Sequence, residues 1–261
     1  MKFRFIKTNI PVIQKICLTG LFIALAMILQ KVVAVNYIAA FPFVRLSLGG
    51  PALIIFASIL LGPVYGAFVG AGSDILGYIA FDIKVYPFYP QITAIYTLLG
   101  FVAYFVFSFV TSIKNRKLIL GIEIVCLTAI WIIASLFVIL NDEITVMTTT
   151  HHINLFVKIL VPVIAGLLFA GIIIFSLLYK GRDKKPVFST LHICFASFIC
   201  DFFIIVLFGS LMKALSFGTA TFVAIILCQA LVMFFNVMID TVFISIFQKY
   251  TKKYFKEVQH E

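Results

Sequence analysis

The sequence predicts an all-α polytopic membrane protein, a helix bundle of about eight spans. Of its 261 residues, 63% are hydrophobic and only 11% are charged, and the mean hydropathy is +1.18. A soluble domain of this size carries about 25% charged residues, so this chain has too little polar surface to face water. Seven clear apolar runs and one weaker run meet or approach the roughly 20 residues that cross a bilayer core. Because lipid offers no partner for backbone N–H and C=O groups, each run is expected to be a helix.

The second span is the weak one. It contains Gly49, Gly50 and Pro51, so its outer end is expected to be irregular or kinked. Such backbone is tolerated at membrane depth only where protein or a wet cavity covers it, which makes the segment a candidate wall of a binding site. The alternative is a short helix with Pro51 in its first turn. The eight predicted spans are 16–35, 44–61, 64–80, 91–111, 118–140, 156–179, 187–208 and 219–247.

Lysine and arginine predict the orientation, because cytoplasmic loops of membrane proteins carry an excess of both. With eight spans and a cytoplasmic N-terminus, 15 of the 20 basic residues fall on the inner side, so both chain ends are predicted in the cytoplasm. The net charge of +10 then mostly reflects topology. It does not indicate nucleic-acid binding, because the basic clusters flank apolar spans. The five basic residues on the outer side are Lys31, Arg45, Lys84, Lys158 and Lys213.

Motifs of catalysis and metal binding are missing. The sequence has no GxxxxGK[ST] phosphate loop, no HExxH and no GxSxG, so we predict no enzyme activity. The five cysteines lie inside predicted spans without metal-binding spacing and are interpreted as packing residues. Adjacent His151 and His152 are a weak metal signal without further ligands, and a solvated outer loop is favoured. No cofactor or metal is predicted, and the natural class is a carrier or a ligand-binding membrane subunit.

Small residues recur on two predicted helices. Gly62, Gly66 and Gly70 follow one another at intervals of four, which places them on one helix face. Such faces let helix backbones approach closely, so packing within the chain is the favoured interpretation. Gly20 and Ala24 form a shorter face on the first span. That face could pack inside the bundle or against a partner helix.

Three ionisable residues are predicted at similar depth in the outer half of the bundle. They are Arg45, at the start of the second span, Asp74 in the third and Asp201 in the seventh. Arginine can bind a ligand carboxylate in a bidentate way, and aspartate can accept from ring N–H groups. The alternative is an ion pair between Arg45 and one aspartate. Asp240, towards the inner end of the last span, is expected to pair or to snorkel.

The outer loop 82–93 combines Pro87 and Pro90 with aromatic side chains. Proline stiffens the loop and aromatic rings offer flat stacking surfaces, as a ligand lid would require. An interfacial aromatic belt is the alternative.

Three segments resemble the substrate-binding S component of energy-coupling factor (ECF) vitamin transporters. They are FPFVRLSL at 41–48, LGPVYG at 61–66 and VGAGSDILGY at 69–78. The folate-type branch is the most similar, with its FPFIR-IS run, LFGP-x-x-G turn and VGA-x-x-D-x-x-G-[YF] helix. Its proline- and aromatic-containing loop ends in YFPGFTL, which FYPQIT at 88–93 resembles. The resemblance covers 16–110 well and resumes more weakly at 187–247.

The resemblance implies a subunit of the bacterial plasma membrane that captures a vitamin, most similar to folate or a pterin, at its outward side. Its implied partners are a transmembrane coupling subunit and two ATPase subunits, and it is expected to topple in the membrane to release ligand inside. The small residues Gly20 and Ala24 resemble the family's contact with the coupling subunit. Together, residue chemistry and resemblance give the expected ligand-binding residues as Arg45, Asp74, Tyr78, Phe88, Tyr89, Gln91 and Asp201.

Two departures from the family pattern are evident. The family usually has six spans, so residues 115–185 are interpreted as an inserted helical hairpin in a core formed by 16–111 and 187–247. Gln91 stands where the family has glycine. The remaining alternatives are an S component for riboflavin, pantothenate or a queuosine precursor, and a stand-alone secondary carrier or structural membrane protein. A solitary carrier should show an internal repeat, and none is evident by eye.

Overall fold

The protein is a bundle of membrane-spanning helices. A computed structural model of the chain describes residues 6, 8–33, 48–82, 87–113, 115–146, 149–178, 187–217 and 222–255. Within these residues, seven helical segments are long and apolar enough to cross a membrane, and an eighth apolar helix is shorter. This confirms the predicted class, an all-α polytopic membrane protein with several spans.

Nine α-helices form the described bundle, and three short stretches of other helix types adjoin them. A π-helical turn, Tyr78–Asp82, continues α3, and the π-helical segment Asp201–Phe208 joins α7 and α8 into one span. A 3₁₀ turn, Lys252–Tyr254, follows α9. The helices are α1 (Val12–Lys31), α2 (Gly50–Leu61), α3 (Pro63–Gly77), α4 (Pro90–Thr111), α5 (Arg116–Leu140), α6 (Leu155–Leu178), α7 (Thr190–Cys200), α8 (Gly209–Phe217) and α9 (Phe222–Thr251).

Both described ends of the chain lie at the same end of the bundle. The Asn9 N–H donates to the Tyr254 carbonyl at 3.0 Å, and Thr8 pairs with Phe255 in an antiparallel bridge. An even number of spans requires this arrangement. We call this end the inner end, following the charge prediction, and the opposite end the outer end.

Helix α2 is the shortest span and the most deeply buried, since all 12 of its residues are buried. It begins after Gly49, whose φ of 90° is left-handed, and Pro51 lies in its first turn, so the short-helix interpretation is correct. Twelve residues rise only about 18 Å, against about 30 Å of hydrocarbon. The start of α2 therefore lies at membrane depth, where α9 covers it: the Phe243 ring is 3.1 Å from where a Gly49 Cβ would lie.

The glycine face of α3 packs within the chain, as the favoured interpretation proposed. Gly66 meets the backbone of Gly100 on α4, and a Cβ added at Gly66 would lie 2.6 Å from the Ser58 Cβ on α2. Gly70 meets the backbone of Tyr96 in the same way. Gly62 has another role, because its φ of 105° makes the turn between α2 and α3.

The predicted insertion forms a hairpin of α5 and α6 that packs on α7 and α9. Trp131 of α5 joins the two helices by donating from Nε1 to the Pro162 carbonyl at 3.0 Å. At the outer end, Lys158 Nζ lies 2.6 Å from Asp142 Oδ1. The hydrogen bond from Lys158, with its positive charge, lowers the pKa of the exposed Asp142 carboxyl.

A short β-hairpin connects α5 to α6, where sequence analysis predicted only a solvated loop. Strands β1 (Glu143–Val146) and β2 (Thr149–His152) are antiparallel, with Glu143 opposite His152. His152 Nδ1 lies 3.0 Å from Glu143 Oε1, and both side chains are exposed. Among the described residues, no three His, Cys, Asp or Glu side chains cluster as a metal site.

Candidate functional site

Four polar residues meet at the outer end of the bundle, and we call them the outer cluster: Lys31, Asp74, Asp82 and Thr93. Lys31, the last residue of α1, lies 3.8 Å from Asp74 Oδ1 and forms a close ion pair with Asp82. The Lys31 and Asp74 side chains are only 7% and 6% exposed. Thr93 of α4 donates to Asp74 Oδ2 at 2.6 Å. The cluster thus joins α1, α3 and α4 by charge-assisted contacts in a region with little water.

Glycine on α3 makes room for the cation of this cluster. A Cβ on Gly77 would lie 2.9 Å from the Lys31 Cε and 3.0 Å from its Cγ. The Lys31 stem therefore lies directly across α3 at the position where α3 has no side chain. This contact aims the ammonium group at Asp74 and Asp82.

Aromatic residues lie beside the outer cluster. The rings of Tyr78 and Phe88 are 5.1 Å apart between centroids and tilted by 55°. Phe88 is 41% exposed, and Tyr89 is the half-buried residue that precedes α4. The Gln91 Oε1 is buried without a hydrogen-bond partner among the described residues. Flat rings and a free acceptor thus stand next to a charged cluster.

The structure brings five of the seven predicted ligand-binding residues to this end of α3 and α4. They are Asp74, Tyr78, Phe88, Tyr89 and Gln91. Arg45 lies outside the described residues, as do residues 83–86 of the predicted lid. Asp201 belongs to a second cluster, and α4 packs between α3 and the π-helical segment that carries it. The described contacts thus join Asp201 to Asp240, and the convergence of Asp74 and Asp201 on one ligand stays a prediction.

Three members of the outer cluster were missed as site residues. Lys31 was predicted on the outer side, but only as a topology signal, and Asp82 and Thr93 were the two ends of the predicted lid. These residues could have been found from one signal, a lysine at the outer end of one span together with an acid at the same depth in another span. Lys31 is a described partner of Asp74, and the predicted partner Arg45 lies outside the described residues.

The second cluster is a carboxyl pair in the middle of the bundle, Asp201 and Asp240. Asp201 is 0% and Asp240 1% exposed, and the two side chains lie within hydrogen-bonding reach of each other. Asp240 also accepts from the Ala52 N–H at the start of α2. Asp240 was expected to pair with a basic group or to snorkel, but among the described residues it is buried against another acid.

A further buried acid, Glu123 on α5, faces the core helices and is 0% exposed. Its carboxyl group contacts the Cys194 thiol of α7, which also contacts Ser176 and Thr241. The α5–α6 hairpin therefore contributes polar contacts to the interior of the bundle, besides its apolar surface.

The small face of α1 points away from the bundle. Gly20 and Ala24 are exposed, and a Cβ at Gly20 would have no neighbour within 4 Å. Cys17 is exposed on the same side, so it is not the packing residue that was predicted. The bundle side of α1 is instead formed by Thr19, Phe22, Ala26 and Gln30.

A surface cleft lies at the inner end, lined in part by Lys15, Gly62 and Tyr104. The Lys15 ammonium stands 5.6 Å from the centroid of the Tyr65 ring, and the Tyr104 hydroxyl donates to the Ile6 carbonyl. This cleft is at the opposite end of the bundle from the outer cluster. We therefore do not assign it to the same site.

In comparisons with known proteins, no family model, no curated protein and no solved structure matches the chain. The resemblance to ECF S components rests on the short motifs between residues 41 and 93. Two of those motifs, at 61–66 and 69–78, lie on the described turn and helix that lead to the outer cluster.

Proposed function

We propose that this chain is a vitamin-binding S component of an ECF-type ATP-driven importer in the bacterial cell membrane, with folate or a related pterin as its ligand. The observation that carries the proposal is the position of the motif residues. Asp74 and Tyr78 of the 69–78 motif stand beside Phe88 and Gln91 of the loop motif at one end of the bundle.

The chemistry of these groups suits a flat heterocycle that carries a carboxylate. A ring could stack on Tyr78 and Phe88, since aromatic side chains offer large planar surfaces. Carboxylate oxygens of Asp74 or Asp82 and the Gln91 amide oxygen accept from ring N–H and amino groups. Lys31, or Arg45 from the preceding motif, supplies positive charge for a ligand carboxylate.

The exposed face of α1 supports the proposed association with a coupling subunit. A span of small residues without neighbours allows another helix to approach its backbone closely. The sequence also has no phosphate-binding loop, so energy from ATP would have to come from separate ATPase subunits.

A second candidate, an ion-coupled secondary carrier, is favoured by one specific observation. Ionisable residues within spans often mark ion pathways, and this bundle buries Asp201, Asp240 and Glu123 in its interior. Asp201 was predicted as an outer ligand residue. Its contact with Asp240 instead fits a role inside the bundle.

Ligand binding is tested with purified full-length protein in detergent. Folate, a pterin, riboflavin, pantothenate and a queuosine precursor are titrated by isothermal calorimetry and by thermal shift. We expect saturable binding of folate or the pterin, weakened at least tenfold by Asp74→Asn and by Tyr78→Ala. Asp142→Asn, an exposed carboxylate at the outer surface, is the matched control. Binding of another vitamin alone would reassign the ligand, and binding of none would contradict the proposal.

Energy coupling is tested by reconstitution in liposomes, with and without coupling and ATPase subunits from the same organism. We expect the lone chain to bind ligand without accumulating it, and uptake to require ATP and the other subunits. Sustained uptake by the lone protein, driven by a proton or sodium gradient, would overturn the S-component proposal and favour the secondary carrier.

A further inference from the structure

The carboxyl pair has no role in the proposed function. Asp201 opens the π-helical segment between α7 and α8, and Asp240 faces it from α9. Among the described residues, no lysine, arginine or histidine forms an ion pair with either carboxyl. Two acids in contact without a described basic partner are costly inside a bundle, because burying an unpaired charge is strongly unfavourable.

The carboxyl pair is part of a larger set of unsatisfied oxygens. Both oxygens of Asp201 and Oδ2 of Asp240 have no hydrogen-bond donor among the described residues. The same is true of Oδ1 of Asn236, which is 6% exposed and lies one helical turn before Asp240 on α9. Residues four apart share a helix face, so Asn236 lies on the same face of α9 as Asp240. Buried polar atoms of native proteins are otherwise almost always partnered.

One shared proton would not satisfy this set. A proton between two carboxyl groups provides a single donor, so it leaves the second Asp201 oxygen and the Asn236 oxygen without a partner, and a second proton would add only one donor for these two oxygens. A metal cation interacts with several oxygens at once. Carboxylate and amide oxygens are the ligands that hard cations such as Ca²⁺ and Mg²⁺ prefer.

We propose that Asp201, Asp240 and Asn236 form a binding site for a small, hard metal cation in the middle of the bundle. The π-helical segment supports this placement, since such segments occur frequently at functional sites. Asp240 also accepts from the Ala52 N–H, so the bound cation would connect α9 and the α7–α8 span to the start of α2. The site lies beyond the proposed vitamin-binding function and does not depend on it.

The test uses the full-length protein, purified in detergent in choline chloride. NaCl, LiCl, MgCl₂ and CaCl₂ are titrated separately at constant ionic strength, and the unfolding temperature Tm is followed by the fluorescence of the single tryptophan, Trp131. We expect one of these cations to raise Tm in a saturable way. Calorimetric titration with the same cation should give one site per chain.

Matched variants locate the effect. Asp201→Asn and Asp240→Asn should each abolish the cation-dependent rise in Tm, and Asn236→Ala should shift its midpoint to at least tenfold higher cation concentration. Asp142→Asn, exposed and outside the spans, should behave as the wild type. In choline chloride alone, Asp201→Asn should have a higher Tm than the wild type, because it removes repulsion between two carboxylates.

Three outcomes would overturn the proposal. The first is that no cation raises Tm while acidification does, which would assign a shared proton to the pair. The second is that a cation raises Tm equally in both aspartate variants, which would place its site elsewhere. The third is that Arg45→Gln lowers Tm and Asp201→Asn restores it, which would show that the Arg45 guanidinium neutralises the pair. None of these readouts depends on vitamin binding.

Discussion

Replacing Lys31 with methionine should destabilise the protein by about 3 kcal/mol. Methionine keeps an unbranched stem of similar length, so it preserves the contact across Gly77 and removes mainly the charge. Removing one partner of a buried ion pair costs about 3–5 kcal/mol, because the other charge stays buried without that counter-charge. Asp74 is only 6% exposed, which justifies this range. In the variant, Thr93 still donates a hydrogen bond to Asp74, and the Asp82 side chain is 24% exposed. We therefore expect a loss of stability at the lower end of this range.

A double-mutant cycle isolates the charge effect. The change is measured as the shift in Tm, and in unfolding free energy where unfolding in mild denaturant is reversible. Lys31→Met/Asp74→Asn should recover most of the lost stability, because it leaves no uncompensated charge at Asp74. Lys31→Met/Asp82→Asn should recover less, since Asp82 has more access to water. Wild-type stability in the single variant, or no recovery in the first double variant, would refute the assignment of Lys31 as the buried counter-charge of Asp74.

Three further predictions use other parts of the bundle. Gly66→Leu should prevent stable folding, because the added side chain would collide with Ser58 and the α4 backbone; near-normal yield and Tm would contradict this packing. Replacing Arg45 with alanine is expected to weaken ligand binding by about 2–5 kcal/mol with little change in Tm, the cost of losing a charged partner; unchanged affinity with a collapsed Tm would make it structural. Gly20→Leu and Ala24→Leu should impair ATP-dependent uptake but leave ligand affinity intact, since both residues are exposed; poor binding in both would contradict the partner-contact interpretation.

Hydropathy and charge were sufficient to predict the class of fold. Each predicted span corresponds to a helix or a continuous helical segment, because in lipid an apolar run has few other ways to satisfy its backbone. The short second span was also predictable, since Gly49, Gly50 and Pro51 interrupt its start. The β-hairpin was not predicted, because each strand has only four residues: Glu143–Val146 alternates polar and apolar residues, but Thr149–His152 is entirely polar.

The candidate site was predicted only in part, for a geometric reason. Residues on one helix or its adjoining loop, such as Asp74, Tyr78 and Phe88, stay together in space, so motif reasoning located them together. Pairing between spans depends on which helices are neighbours, which hydropathy does not report. Depth alone therefore predicted Asp201 close to Asp74. In the structure, Asp201 contacts Asp240, and Asp74 contacts Lys31.

The contact between Ala52 and Asp240 has a consequence for how the chain is made in the cell. The two residues are 188 positions apart (240 − 52), and α9 is the last described span. During synthesis, α2 enters the membrane long before α9 exists. Until then the Ala52 N–H lacks the Asp240 carboxylate as its acceptor, in surroundings that offer few other hydrogen-bond partners. The Ala52 N–H therefore gains this acceptor only once α9 has entered the membrane. In a chain truncated before residue 222, the Ala52 N–H would never gain this acceptor. We expect membrane quality-control proteases to degrade such a chain.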